Sequence, residues 1–98
     1  MDKDKIIEKI SEHMKTWGGL PGDWYVGVSQ NVELRLFINH GVDKEKDKWI
    51  YIPVTSDRVA GEVEAYFVNK IGTGGGLEGG TNGANMVYAY KKSERTNP

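Results

Sequence analysis

The chain contains no cysteine in its 98 residues. That removes disulfide staples, thiol nucleophiles and cysteine-type zinc sites at once. No apolar run approaches the length of a membrane span, and the opening MDKDKIIEKI alternates charge with apolar residues, unlike a signal peptide. The expectation is a soluble, cytoplasmic protein with no membrane partner. A basic surplus is also missing: 13 basic residues face 14 acidic ones, for a net charge of −1. Proteins that hold nucleic acid through its backbone are usually basic, because affinity comes largely from released counterions. Any polyanion binding must therefore be local. The candidate clusters are Lys91, Lys92 and Arg95, and the run DKEKDK (43–48), where acids offset the bases.

What is present fits one small α+β domain over residues 1–98. In residues 3–17, Ile6, Ile7, Ile10, Met14 and Trp17 recur at helical spacing, and Gly18-Gly19 ends the pattern. This helix and the LPGD turn fill residues 1–23. Trp24 to Val28 reads as a strand, followed by a helix capped by Ser29 or Asn31 and stopped near Gly41. WIYIPV (49–54) is a second strand, with Pro53 marking an end or an edge. Ser56 caps a third helix, DRVAGEVEAYFVNK, which closes the 24–70 core. Residues 71–85 hold the glycine-rich stretch, and 86–98 a final strand, MVYAYKK, with a polar tail. The expected architecture is a small antiparallel three-stranded sheet flanked by about three helices.

Within that frame, Tyr25-Val26-Gly27 leads through Ser29 and Val32 to Arg35, eight residues after the glycine. A strand follows, and then a helix in which Ala60 precedes Glu64 by four residues. Taken singly, each of these reads as ordinary core, rim or solvated surface. As an ordered set over residues 24 to about 70, they resemble the GIY-YIG nuclease superfamily. That resemblance implies a GIY-YIG-like fold and a metal-dependent phosphodiester hydrolase acting on DNA or RNA with one Mg²⁺ or Mn²⁺. It places Tyr25 on the water side, Arg35 on the phosphate and Glu64 on the metal, with Gly27 kept bare for structural reasons. Helical periodicity does not choose between Glu62 and Glu64; only the family's Ala-to-Glu spacing favours Glu64. His40 lies five residues after Arg35, and a regular helix would turn it about 140° away. It joins a site only if the helix ends first.

The family's first strand, Gly-Ile-Tyr, does not precede Tyr25. The C-terminal strand could stand in for it, with Tyr88 or Tyr90 as the missing tyrosine, in a permuted sheet that pairs residues 86–92 beside 24–28. The family's asparagine could be Asn82 or Asn85, and nothing in the sequence selects one. GTGGGLEGGTNG lacks the Gly-Lys-Ser/Thr of a P-loop. It reads as a loop, with Gly74, Gly75 and Gly76 as weak candidates for a backbone phosphate cradle. The rival to hydrolysis is a non-catalytic binder on the same scaffold, capturing a nucleotide, an oligonucleotide or a protein partner. An unpaired strand edge near Pro53 leaves a homodimer open.

Overall fold

The computed structural model describes residues 2–75 and 83–98. Its elements run α1 (Lys3–Trp17), β1 (Trp24–Ser29), α2 (Leu34–Asn39), β2 (Trp49–Pro53), α3 (Asp57–Ala65) and β3 (Met86–Lys91). A wider-turned segment, Tyr66–Ile71, prolongs α3. The strands form one antiparallel sheet in the order β1-β3-β2. The α+β architecture of three antiparallel strands and about three helices is the expected one. Among the described residues, no helix is long and apolar enough to cross a membrane.

The C-terminal strand lies at the centre. It pairs with β1 in the register Tyr25 to Tyr90 and Gly27 to Tyr88, as the permuted arrangement requires. On its other side, Trp49 opposes Tyr90 and Tyr51 opposes Tyr88. Side chains alternate across a strand, so Tyr25, Gly27, Tyr88 and Tyr90 share one face. Val26, Val28, Val87 and Ala89 share the other.

That second face carries the main core, packed against Ile6 and Ile10 of α1 and Ala60, Val63 and Phe67 of the third helix. The tyrosine face is covered by Val32 and Leu36 around α2, with Val42 behind them. A central strand buried on both faces needs apolar bulk at every position, which is why MVYAYK shows no polar alternation.

Local signals account for the helix ends. Asp2 caps α1 by accepting from Lys5 N (2.9 Å), and Ser56 caps α3 by accepting from Val59 N (3.2 Å). Asn31 accepts from Leu34 N (3.2 Å) at the start of α2, and Gly41 leaves that helix at φ +69°. Trp17 departs from the apolar stripe of α1. It is 44% exposed, under the Lys48 ammonium at 4.2 Å from the ring centre.

The start of the glycine stretch is part of the sheet edge. Gly74 O accepts from Val26 N (3.0 Å), and Gly74 N donates to Trp24 O (2.8 Å). A Cβ on Gly75 would stand 2.7 Å from Val26 O. Close backbone packing against β1 therefore explains Gly75, and the Gly74 N–H is already committed to a carbonyl rather than to an anion. Gly76 and Asn82 lie outside the described residues. Asn85 is exposed and pairs through its backbone with Val54 N (2.9 Å).

Candidate functional site

The tyrosine face of the sheet gathers most of the residues singled out from the sequence. Gly27 makes room for Tyr88 directly across the strand pair. A Cβ at Gly27 would stand 2.5 Å from Tyr88 Cζ and closer still to the hydroxyl. The glycine is thus required by a tyrosine ring lying across it, and its backbone is not strained.

Tyr88 and Tyr90 converge on His40. The Tyr88 hydroxyl is 2.8 Å from His40 Nε2, and the Tyr90 hydroxyl is 3.1 Å from Nδ1. Nδ1 also lies 2.9 Å from the Asn97 carbonyl oxygen. A carbonyl can only accept, so Nδ1 carries the proton. Nε2 of the neutral ring is then an acceptor, and Tyr88 donates to it. Burial lowers the His40 pKa below its usual 6.5; the Asn97 contact opposes that shift and the Arg35 charge adds to it. A neutral ring at pH 7 follows. Tyr25 packs against this group, its ring centre 4.6 Å from that of His40 and 5.3 Å from that of Tyr90.

His40 reaches the site because α2 is not a regular α-helix. Its amide bonds to Arg35 O (2.8 Å), an i→i+5 contact, and Val42 N bonds to Leu36 O (2.9 Å). The wider turn places the fifth residue above Arg35, where a regular helix would put the fourth. The tail completes the hold on His40: Asn97 N donates to His40 O (2.6 Å) while Asn97 O takes the ring proton.

Arg35 is exposed, and its charge is felt by Glu64, by Tyr88 and by His40. Among the described residues it forms no ion pair. Glu64 reaches the group from the helix behind the sheet and is 2% exposed. Burial raises its pKa from 4.5 to about 7, and the Arg35 charge works against that rise. Tyr88 is raised above its usual 10 by burial first and by Tyr25 next, with Glu64 adding a smaller contribution and Arg35 opposing. Glu62, the alternative left open by periodicity, is exposed and lies 3.7 Å from Arg58.

The structure brings Tyr25, Gly27, His40 and Tyr88 into contact, while Arg35 and Glu64 act on this group through their charges. It keeps both alternatives for the second tyrosine, Tyr88 and Tyr90, and adds the Asn97 carbonyl. The position of Tyr90 was readable from its i+2 spacing to Tyr88. The Asn97 carbonyl carried no sequence signal, because a backbone group in a polar tail looks like any other.

Among the described residues, no group of three or more His, Cys, Asp or Glu could hold a metal by itself. Glu64 is the carboxylate whose charge acts on Tyr88. One buried carboxylate, 2% exposed, is at most a single ligand for a hard ion such as Mg²⁺, whose other ligands water and substrate oxygens would have to supply. It does not suit a zinc-type cage.

Comparisons of the chain with protein-family models, with curated proteins and with solved structures found no significant match.

Proposed function

We propose that the protein is a metal-dependent phosphodiester hydrolase of GIY-YIG type, acting on DNA or RNA. The observation that carries this reading is that one exposed guanidinium bears on three groups at once: a buried carboxyl, a tyrosine and a histidine. A phosphodiester needs charge neutralisation, a route for the proton of the attacking water and help for the leaving oxygen. Arg35 supplies the first, since its planar fork matches phosphate oxygens and stays charged. The pairing of β3 beside β1 supports the resemblance, because it sets Tyr88 next to Tyr25-Val26-Gly27.

The proton route runs through Tyr88 and His40. Tyr88 is too weak an acid to wait as a phenolate. Its oxygen instead takes a proton from water as its own O–H proton passes to His40 Nε2, so no phenolate accumulates. Nδ1–H stays bonded to Asn97 O, which holds the ring in the accepting tautomer. Tyr25 forms the wall of this relay by stacking against Tyr90 and His40. A divalent ion held on Glu64 would supply Lewis-acid activation of the phosphate and countercharge for the leaving oxygen.

The test is cleavage of plasmid, single-stranded DNA and RNA with Mg²⁺ or Mn²⁺. Wild-type protein should give nicked or shortened products, and Arg35→Ala and Glu64→Gln should each lower the rate by about 10²-fold or more. Cleavage that survives both substitutions overturns the reading. Non-catalytic capture of a nucleotide or oligonucleotide is the second reading. It draws support from the Glu64 carboxyl, which near pH 7 is about half protonated and so half unavailable to a cation. Saturable, metal-independent binding with no product would favour it.

A further inference from the structure

The charge of the chain is nearly balanced, but its cations are not evenly spread. Lys46 and Lys48, from the loop before β2, meet Lys91, Lys92 and Arg95, from the end of β3 and the tail. They line one hollow of about 210 Å³, with Trp17 on its wall. The two local clusters that the sequence offers separately are one surface in the fold.

The partners of these cations are mostly neutral. Lys91 Nζ donates to Trp17 O (3.0 Å), Lys92 Nζ donates to Gly22 O (3.0 Å), and Lys48 Nζ sits over the Trp17 ring. Carbonyls and a π face orient an ammonium group without cancelling its charge. Among the described residues, none of the four lysines forms an ion pair. The carboxylate in the lining, Asp47, is buried and taken by Arg95 (2.5 Å). Nearby acids keep their charge but are oriented by backbone amides, and Asp43 acts on Lys46 and Arg95. Asp43 accepts from the amides of Glu45 and Lys46 (2.9 Å each), and Asp23 accepts from Leu20 N (2.8 Å). The Glu94 charge acts on Arg95.

The hollow adjoins the candidate site. Lys92 Nζ and the Tyr25 ring crowd the same point above Gly74, at 3.0 and 3.4 Å. The tail that carries Lys92 and Arg95 continues to Asn97, which holds His40.

We propose that this hollow is a backbone-anchoring site for nucleic acid. It holds phosphates of the strand next to the one seated at Arg35, with Trp17 offering an apolar face to a sugar or base. The identity of the polyanion rests on the proposed function; the existence of an anion-binding hollow does not. Lys48, Lys91 and Lys92, fixed on neutral partners, keep charge that a phosphate backbone can complement.

The experiment measures fluorescence anisotropy of a labelled single-stranded oligonucleotide, without divalent metal, between about 50 and 200 mM salt. The combined variant Lys46→Glu, Lys48→Glu, Lys91→Glu should bind at least about 10-fold more weakly, with a log–log salt slope shallower by about 2. The corresponding Gln variant should fall between it and wild type. Lys3→Glu with Lys9→Glu, on α1 away from the hollow, should leave binding unchanged. Unchanged affinity and slope in a folded charge-reversed protein overturn the proposal, as does a wild-type protein that binds no oligonucleotide at low salt. Binding of poly-glutamate but not oligonucleotide reassigns the hollow to an acidic protein and overturns it too. Binding that the charge reversal weakens, with no cleavage by wild type, removes the hydrolase and keeps the hollow. Cleavage with an unchanged KM in the charge-reversed protein does the opposite.

Discussion

Glu64→Gln should make the protein more stable as it makes it inactive, and the gain should depend on pH. The folded state raises the Glu64 pKa from 4.5 to about 7. The folded protein therefore holds this proton more tightly than the unfolded chain. The stability carried by the protonated carboxyl is full below about pH 4.5 and is lost as pH rises through about 7. At roughly 1.4 kcal/mol for each decade between the two pKa values, an ionised Glu64 at pH 8 costs about 3 kcal/mol. Glutamine keeps the shape and never ionises. The variant should match wild type near pH 4.5 and exceed it by about 3 kcal/mol at pH 8. Urea unfolding at both pH values measures this. With a denaturant slope of roughly 1.5 kcal/mol/M, the midpoint at pH 8 should rise by about 2 M. Burial lowers the pKa of both His13 and His40 as well. They are common to both proteins, so they largely cancel in the difference. A wild-type-to-variant gap that does not change between pH 4.5 and pH 8 would refute the argument, because the buried charge would then carry no penalty.

Three further outcomes test the rest of the cluster. Gly27→Ala should push the Tyr88 ring off His40, lowering stability by about 1–3 kcal/mol in thermal or urea unfolding and abolishing cleavage. Tyr88→Phe removes the donor to Nε2 and should lower kcat by about 10²-fold, while Tyr90→Phe, which loses only the weaker contact to Nδ1, should lower it far less. Deleting Asn97 and Pro98 frees the His40 ring; nitrogen NMR should show the Nδ1–H tautomer no longer dominant, with kcat reduced and KM little changed.

The sheet was legible because its signals are local and strong. Trp24–Val28, WIYIPV and MVYAYK are short β-branched and aromatic runs between glycine, proline and charged turns. The central place of β3 was not readable from periodicity. The tyrosines of MVYAYK pointed to pairing with Tyr25-Val26-Gly27, but nothing in the sequence marked β2 as its other neighbour. The length of α2 as an irregular helix escaped the sequence for a physical reason. Six residues, LRLFIN, span little more than one turn, so α and wider windings predict nearly the same buried positions. That ambiguity is what left His40 unplaced, since the two windings differ by one residue at the C-terminal end. The glycine stretch escaped in the same way: Gly75 answers to the packing of a backbone against β1, which no composition rule distinguishes from a flexible loop.

The placement of Glu64 connects stability with the site. A carboxyl flanking Val63 on a core helix is a poor choice for folding alone, because burial favours its neutral form. Arg35 offsets part of that cost through its field, yet it comes from the opposite layer and is exposed to solvent. Removing Arg35 should therefore raise the Glu64 pKa further, above about 7, and a carboxyl-carbon NMR titration of Arg35→Ala follows it directly. If the Glu64 midpoint stays where it is, the two groups do not share a field, and the hydrolase reading loses the coupling it rests on. If it rises, a single cation tunes the carboxyl, the tyrosine and the histidine together. One exposed cation perturbing three titratable groups is the pattern expected of an anion-handling site.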